Sequence, residues 1–160
     1  MKKKWMSLAL LSLVSLVWTS AGSAAEAKKK APSAKVIVLT PDDLQWKNGP
    51  AALPATKLAI LEGDPQKPGF FVTRLKLPAG TKIPPHMHQK VERVTVISGK
   101  LYMAMGAKPD NPRVLPAGSY FSLPPQKVHN AWVDEETIVQ IATNGPWTFK
   151  PVKRAAEQKE

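Results

Sequence analysis

Apolar residues along the chain occur in short runs, and proline and glycine separate most of these runs. Several runs alternate between apolar and polar positions or are rich in β-branched residues, which is typical of half-buried strands. The predicted strands are 36–39, 57–62, 70–77, 91–97, 100–105, 119–123, 128–133 and 137–143. Short strands with turn residues between them predict an all-β fold, either a sandwich or a barrel.

The clearest turn signal joins two of these predicted strands. The apolar run VTVI is followed by Ser98-Gly99 and then by the run KLYMAM. Two apolar runs on either side of a two-residue turn that contains glycine are typical of a β-hairpin. We therefore predict that strands 91–97 and 100–105 pair with each other.

The start of the chain has the three parts of a secretory signal peptide. Lysines occupy positions 2–4, a 14-residue apolar run follows at 5–18, and small residues fill most of 19–25. A membrane-spanning helix needs about 20 apolar residues, so this run is too short to span on its own. Cleavage after Ala25 and cleavage after Ala27 both fit the small-residue rule. We expect an exported bacterial protein, periplasmic or secreted, with no integral membrane segment after cleavage.

The rest of the chain is long enough for one domain. A chain of 160 residues buries one modest core but not two. The sequence predicts a signal peptide at 1–25, a flexible polar leader at 26–35, one all-β domain at 36–152 and a charged tail at 153–160.

Most of the surplus basic charge lies outside the predicted domain. Removal of 1–25 takes away three lysines, so the formal net charge falls from +11 to +8. The segment 36–151 carries 13 basic and 9 acidic side chains, and no stripe of basic and aromatic residues crosses it. We therefore expect no nucleic-acid partner. The absence of cysteine excludes disulfides, thiolate metal sites and thiol nucleophiles.

All three histidines lie in two short segments. His86 and His88 are two residues apart, a spacing that places both rings on one face of a strand. Glu92 follows after a turn that can return its carboxylate to that face, and His129 comes from a distant predicted strand. Imidazoles with a carboxylate suit a six-coordinate divalent metal with positions left open. The sequence predicts a metal site, and the alternative is a metal-free barrel.

The first histidine segment resembles the first motif of the cupin superfamily and matches it at every position. Its residues, separated by five, one, three and six others, are Gly80, His86, His88, Glu92 and Gly99.

A second cupin motif is present in weaker form. Gly118, Pro124 and His129 keep their expected offsets, and Gln126 stands where the family usually has glycine. The strings LEGDP and GPW, outside the two motifs, are similar to bacterial cupins of the ChrR-like type.

The resemblance implies a single-domain jelly-roll β-barrel, the double-stranded β-helix, with a metal ion in its mouth. It carries over His86, His88, Glu92 and His129 as the ligands. The expected cofactor is one divalent transition metal ion, and Fe, Mn, Ni, Cu and Zn all suit such ligands.

Several side chains are candidates for the lining of the barrel cavity. They are Arg74, Leu101, Tyr102, Met103, Met105, Tyr120, Phe121 and Trp132. An inward Arg74 would bind a carboxylate of a substrate, but its alternating strand favours an outward, solvated side chain. Thioethers of Met103 and Met105 would favour copper, although such residues more often fill a core. Trp46 and Trp147 are expected to seal the barrel or to pack in a dimer.

The sequence leaves three functions open and assigns no catalytic residue. The first is an exported metal-dependent enzyme, dioxygenase-like or isomerase- or lyase-like, acting on a small oxygenated molecule. The alternative is a non-catalytic module that binds or senses a metal or small ligand, which the lack of a spare histidine as a base favours. The third is a metal-free structural oligomer. We also expect a homodimer, because pairing covers the edge strands of a small barrel.

Overall fold

The computed structural model of the protein describes residues 35–152. The predicted signal peptide 1–25, all but the last residue of the leader 26–35, and the tail 153–160 lie outside these residues. Within the described residues, no helix has the length and apolar character needed to cross a membrane.

Strands account for nearly all of the regular structure, after one 3₁₀ turn at Pro41–Asp43. In chain order they are β1 (Lys47–Asn48), β2 (Lys57–Glu62), β3 (Gly69–Leu77), β4 (Lys82–Met87), β5 (Glu92–Ser98), β6 (Lys100–Met105), β7 (Arg113–Pro116), β8 (Tyr120–Leu123), β9 (His129–Trp132), β10 (Thr137–Gly145) and β11 (Lys150–Pro151). They form two antiparallel sheets with strand orders β1-β2-β3-β10-β5-β8 and β11-β4-β9-β6-β7. The prediction of an all-β fold is confirmed.

The two sheets pack against each other through their apolar faces. Along β3 and β10 every second side chain is buried, as the alternating sequence predicts. Leu75 and Val139 from the first sheet join Leu101 and Ala131 from the second in one hydrophobic cluster. The core of the domain therefore lies between the sheets, and residues directed inward from both sheets meet there.

The predicted strand at 36–39 is wrong. This segment has no regular structure, and Val36 and Val38 have exposed fractions of 93% and 81%. Its apolar run has the composition of a strand, but a strand also needs a neighbour for its N–H and C=O groups. Among the described residues, the sheet edge on this side is formed by β1.

The predicted hairpin across Ser98-Gly99 is also wrong, although both flanking strands are present. β5 pairs with β8 and β10 in the first sheet, whereas β6 pairs with β7 and β9 in the second. Gly99 has φ +73, and a Cβ there would lie 2.5 Å from the Glu136 carbonyl oxygen. Glycine is required here because the chain bends sharply from one sheet to the other.

The strand that carries the first histidine was missing from the predicted strands. β4 contains Pro84 and Pro85, and proline normally argues against a strand because it has no N–H to donate. The pairing of β4 with β9 is interrupted between Ile83 and His86, so both prolines fall within the irregular part of the ladder. The strand resumes at His86, and the irregularity leaves its ring directed into the domain.

Candidate metal centre

Three histidines and one glutamate meet between the sheets. His86 lies on β4 and pairs across the ladder with His129, the first residue of β9. His88 follows directly after β4, and Glu92 is the first residue of β5 in the opposite sheet. Exposed fractions of the four residues are only 4–6%. The structure thus brings together the four residues that the sequence proposed as ligands.

Backbone carbonyl groups fix the orientation of all three rings. The Nδ1 atoms of His86, His88 and His129 lie 2.8, 2.7 and 3.0 Å from the carbonyl oxygens of Pro84, Thr148 and Lys127. A carbonyl oxygen only accepts, so each Nδ1 must carry the proton. The Nε2 atom of each neutral ring then presents a lone pair, which is the form that binds metals.

The lone pairs of this cluster converge on one another. Ligand atoms of the three histidines lie within 4.8 Å of each other. His129 Nε2 is 3.2 Å from Glu92 Oε2, and His88 Nε2 is 3.5 Å from Glu92 Oε1. His88 Nε2 is buried without a hydrogen-bond partner. Acceptors packed this closely need a cation between them, and a metal ion bound by Nε2 and carboxylate oxygen atoms fits that need.

Burial keeps two of the rings neutral. The pKa of His86 is lowered from 6.5 to about 4, mainly by burial and in the same direction by the neighbouring His129. Burial also lowers the pKa of His88, although the Glu92 carboxylate opposes this change. Both rings therefore stay available as lone-pair donors near neutral pH.

The pKa values of Glu92 and His129 shift in the directions expected of an ion pair. Burial works to raise the pKa of Glu92, but contact with His129 and His88 outweighs it and lowers the pKa. Burial works to lower the pKa of His129, but the Glu92 carboxylate raises it overall. Glu92 is thus held in its ionised form, and a metal ion at this position would take the place of the proton that the carboxylate otherwise favours on His129.

Two aromatic rings stack on the histidines, and both also line the adjoining cavity. Trp147 stacks on His88 with ring centroids 3.9 Å apart, and Phe149 stacks on His86 at 4.3 Å. Both follow β10 in the segment 146–149, which also provides the Thr148 carbonyl group. Sequence reasoning placed Trp147 at the edge of the barrel and missed Phe149. Trp147 and Phe149 are two residues apart, like His86 and His88, and this matching spacing was the signal that could have indicated Phe149.

The second motif keeps its turn without the usual glycine. Gln126 has φ +64, a left-handed conformation that favours glycine. Its backbone N–H donates to the carbonyl oxygen of His88 at 2.7 Å. The turn before His129 is therefore bonded directly to the first histidine segment.

A cavity of about 470 Å³ adjoins the cluster. Of the predicted lining residues, Leu101, Met103 and Phe121 lie on its wall. The structure adds further apolar wall residues from the first sheet that sequence reasoning did not propose, among them Leu75 and Val94. The wall is mainly apolar because inward positions of both sheets form it.

The other predicted lining residues point away from the cavity. Arg74 lies on the outer face of β3, where its Nε donates to Gln140 Oε1 at 3.2 Å. Met105 and Tyr120 are exposed, with exposed fractions of 42% and 59%. Tyr102 and Trp132 stack on each other across β6 and β9, with ring centroids 5.4 Å apart. In a two-residue alternation, neighbours of a wall residue face outward, and Tyr102 is the neighbour of Leu101 and Met103.

Comparison with known proteins gives the family but no activity. The family model described as a domain of unknown function, DUF4437, matches residues 17–150. The chain belongs to the DUF4437 family. No curated protein matches this DUF4437 chain in sequence.

Solved structures show that the DUF4437 chain has the cupin fold. A cupin from Shewanella frigidimarina has a TM-score of 0.52 and 16% identity, with coverage of 72% of this chain and 91% of that one. The polyketide cyclase RemF from Streptomyces resistomycificus has a TM-score of 0.63 and 14% identity, with coverage of 77% of this chain and 89% of that one. An acetylacetone dioxygenase from Acinetobacter johnsonii has a TM-score of 0.59 and 18% identity, with coverage of 76% of this chain and 80% of that one. At these identities the likeness concerns the fold alone.

The buried cluster gives this DUF4437 chain a defined chemical capacity. Three imidazoles whose ring nitrogen atoms converge are able to bind one metal ion. The adjoining cavity has room for a small molecule beside the cluster. The protein thus combines a cluster able to hold a metal ion with a mainly apolar cavity.

Proposed function

We propose that this DUF4437 chain is an exported metal-dependent cupin enzyme that acts on a small oxygenated molecule. His86, His88, His129 and Glu92 would hold one divalent transition metal ion, and Fe, Mn, Ni, Cu and Zn all suit these ligands. The observation that carries the proposal is the fixed orientation of the rings. Each Nδ1 is bound to a backbone carbonyl group, so each Nε2 is free for a metal.

The ion, when bound, supplies Lewis-acid or redox chemistry at the coordination positions that the protein leaves open. The chain's own residues have three tasks. Carbonyl groups hold the rings in place, and Trp147 and Phe149 stack on them at the cavity wall. Glu92, buried and held ionised by His129 and His88, would accept a substrate proton when it dissociates from the metal.

Two of the structural neighbours are named as enzymes, and this supports catalysis. One is called a polyketide cyclase and the other an acetylacetone dioxygenase. Cupin folds carry many functions, so the neighbours do not select a reaction.

A second candidate function is non-catalytic binding of a metal or small ligand, for storage or sensing. One observation favours it. Among the described residues that line the cavity, Asp64 is the one titratable side chain outside the cluster. It is paired with Lys67 at 3.0 Å. An enzyme of this kind therefore depends on Glu92 alone for proton transfer.

Removal and return of the metal distinguish the two candidates. Protein stripped with a chelator and reloaded with one metal at a time is tested for dioxygen consumption and for product formation on a panel of small ketones, enols and phenols. Turnover that needs metal supports the enzyme. Retained metal without turnover on the whole panel supports the binding module.

Two variants make this test specific to the cluster. The double variant His86→Ala/His88→Ala is expected to lose both metal and turnover. Gln89→Ala changes an exposed side chain next to the ligands and is expected to retain both. Turnover that persists in the double variant would contradict the proposal.

Export and assembly are part of the proposal. Its support is the lysines at 2–4 and the apolar run at 5–18 for export, and the sheet edges for a homodimer. We expect the intact mass of the protein from a periplasmic fraction to correspond to cleavage after Ala25 or Ala27, and light scattering to give twice the mature mass. A full-length or monomeric protein would count against these points. The ChrR-like subtype stays a prediction.

A further inference from the structure

Apart from Gln66 at the rim and Trp147 beside the histidines, the polar side chains of the described cavity wall away from the metal centre have partners. Among the described lining residues, Thr73 lies on a strand wall, and its hydroxyl donates to the Ala59 carbonyl oxygen at 2.8 Å. At the rim, Asn48 Oδ1 accepts from Lys57 at 2.8 Å, and Asp64 pairs with Lys67. A bound molecule therefore finds free polar partners chiefly at the histidine cluster.

The cavity wall also lacks positive charge. Within the described part of the chain, no lysine or arginine lines the cavity, and Arg74 faces the opposite side of β3. The negative side chains of the lining are Glu92, inside the cluster, and Asp64, at the rim. An anionic group on the body of a ligand would leave water without a partner of opposite charge, and a cationic one would meet only Asp64, which is already paired with Lys67, so either transfer is unfavourable.

Exposure of the lining residues locates the entrance. The cluster side chains are buried, whereas Asn48, Pro50 and Gln66 are exposed and Ile60 has an exposed fraction of 43%. These four lie beside the edge formed by β1 and β2 and on the turn after β2. A ligand therefore enters past Ile60 and passes along an apolar wall before it reaches the histidines.

We infer that the molecule bound in this cavity is uncharged over most of its length, with an apolar body and a single polar end bearing oxygen donors. The oxygen end lies at the histidine cluster, and the body lies against wall residues such as Leu75, Val94 and Ile141. A volume of about 470 Å³ suits a small molecule rather than a polymer. The inference rests on the proposed function, because the metal centre binds the polar end.

Three catechols with the same chelating head and different tails test this inference. The probes are 4-propylcatechol, dopamine and 3,4-dihydroxyphenylacetate, whose tails are respectively apolar, cationic and anionic. They are titrated under argon into the full chain loaded with Co²⁺, and the visible spectrum of the cobalt reports binding. We expect 4-propylcatechol to bind at least tenfold more tightly than either charged probe.

The possible outcomes distinguish failure of the inference about the ligand from failure of the proposed metal site. Cobalt uptake with equal affinity for all three probes, or with no binding of any, overturns the inference and leaves the metal site standing. Failure of the protein to bind cobalt overturns the metal site and the inference together. Tight binding of the apolar probe alone supports both.

A charge placed at the entrance provides a second test. Ile60→Lys puts a cation on the rim of the cavity and is expected to raise the affinity for 3,4-dihydroxyphenylacetate at least threefold. Ile97→Lys is the matched control, because Ile97 lies on β5 with an exposed fraction of 38% and does not line the cavity. Equal affinity of the two variants for this probe would contradict the proposed entrance.

Discussion

At the scale of single residues, the histidines of the cluster are oriented by the backbone before any metal binds. The hydrogen bonds from Nδ1 go to carbonyl oxygens at positions 84, 127 and 148, and two of these belong to the residue two before the histidine. Such bonds fix both the tautomer and the ring plane. Metal binding thus requires little rearrangement of the rings.

The buried neutral rings make the stability of the metal-free protein depend on pH. The pKa of His86 is about 4 in the folded protein against 6.5 normally, so the unfolded chain binds more protons between these values. We expect the free energy of unfolding to fall as pH drops from about 6.5 to 4, by on the order of 3 kcal/mol. The pKa of His129 is raised, so this residue stabilises the folded protein at pH values below 6.5. That stabilisation is lost as pH rises through the raised pKa. Urea unfolding at several pH values measures both effects.

A variant identifies the source of the acid effect. His86→Asn removes the depressed group and is expected to flatten the profile between pH 4 and 6.5. An unchanged slope in this variant would show that other groups cause the loss of stability.

Gln126 has a backbone conformation that glycine adopts more easily. Its φ of +64 costs a residue with a Cβ roughly 1–2 kcal/mol, and part of this is offset because glycine loses more entropy on folding. We expect Gln126→Gly to raise the free energy of unfolding by about 0.5–1 kcal/mol. Chemical denaturation measures the change.

Asn111 is the matched control for this substitution. It also has positive φ, +47, and is exposed like Gln126, but asparagine tolerates this region well. Asn111→Gly should change stability little. A larger gain at Asn111 than at Gln126 would refute the explanation by backbone strain.

At the scale of elements, the segment 146–149 after β10 holds the rings of the candidate metal centre in place. It provides one ring to His88, one ring to His86 and a carbonyl group to His88 Nδ1. Removal of a group that orients a ligand typically costs 10–100-fold in metal affinity. We expect Trp147→Ala to weaken metal binding about tenfold, measured by competition with a chromogenic chelator.

Trp132→Ala is the control for this element. Trp132 stacks on Tyr102 outside the cavity, so its loss removes an aromatic pair without contact with the cluster. Metal affinity should stay at the wild-type value. Equal weakening in both variants would mean that the effect comes from general destabilisation.

Elements with a local signal were predictable from sequence, and elements set by long-range pairing were not. Alternation placed β2 at 57–62 and β6 at 100–105 with the bounds that the structure shows. The Ser98-Gly99 turn was read as a hairpin because the local pattern carries no information on which sheet receives the next strand. β4 was not predicted because its prolines argue locally against a strand. They are accommodated by the irregular pairing of β4 with β9, which the local sequence does not reveal.

The candidate site was predictable where spacing carried the information. The pair of histidines two residues apart and the offset of Glu92 placed three side chains from local sequence alone. The pocket was less predictable, since its lining depends on which face of β3, β6 and β8 turns inward. Arg74 and Tyr120 therefore lie outside it, while Leu101 and Phe121 lie on its wall.

At the scale of the whole molecule, the proposed metal ligands come from both sheets. His86 and His129 come from the second sheet and Glu92 from the first, so an ion bound by all three links them. A ligand that binds only the folded state stabilises it by mass action, by about 2.7 kcal/mol at 100 times its dissociation constant. We expect metal to raise the melting temperature of chelator-treated protein by about 10 °C. Calorimetry measures this shift, and His129→Ala should abolish it.

The central claim is that four side chains hold one metal ion between the sheets. The most direct measurement is the metal content, by elemental mass spectrometry, of wild-type protein and the His86→Ala/His88→Ala variant, both purified without a histidine tag. The account predicts one transition metal ion per wild-type chain and loss of that metal in the variant. A wild-type chain without metal, or a variant with the same metal content, would contradict the account.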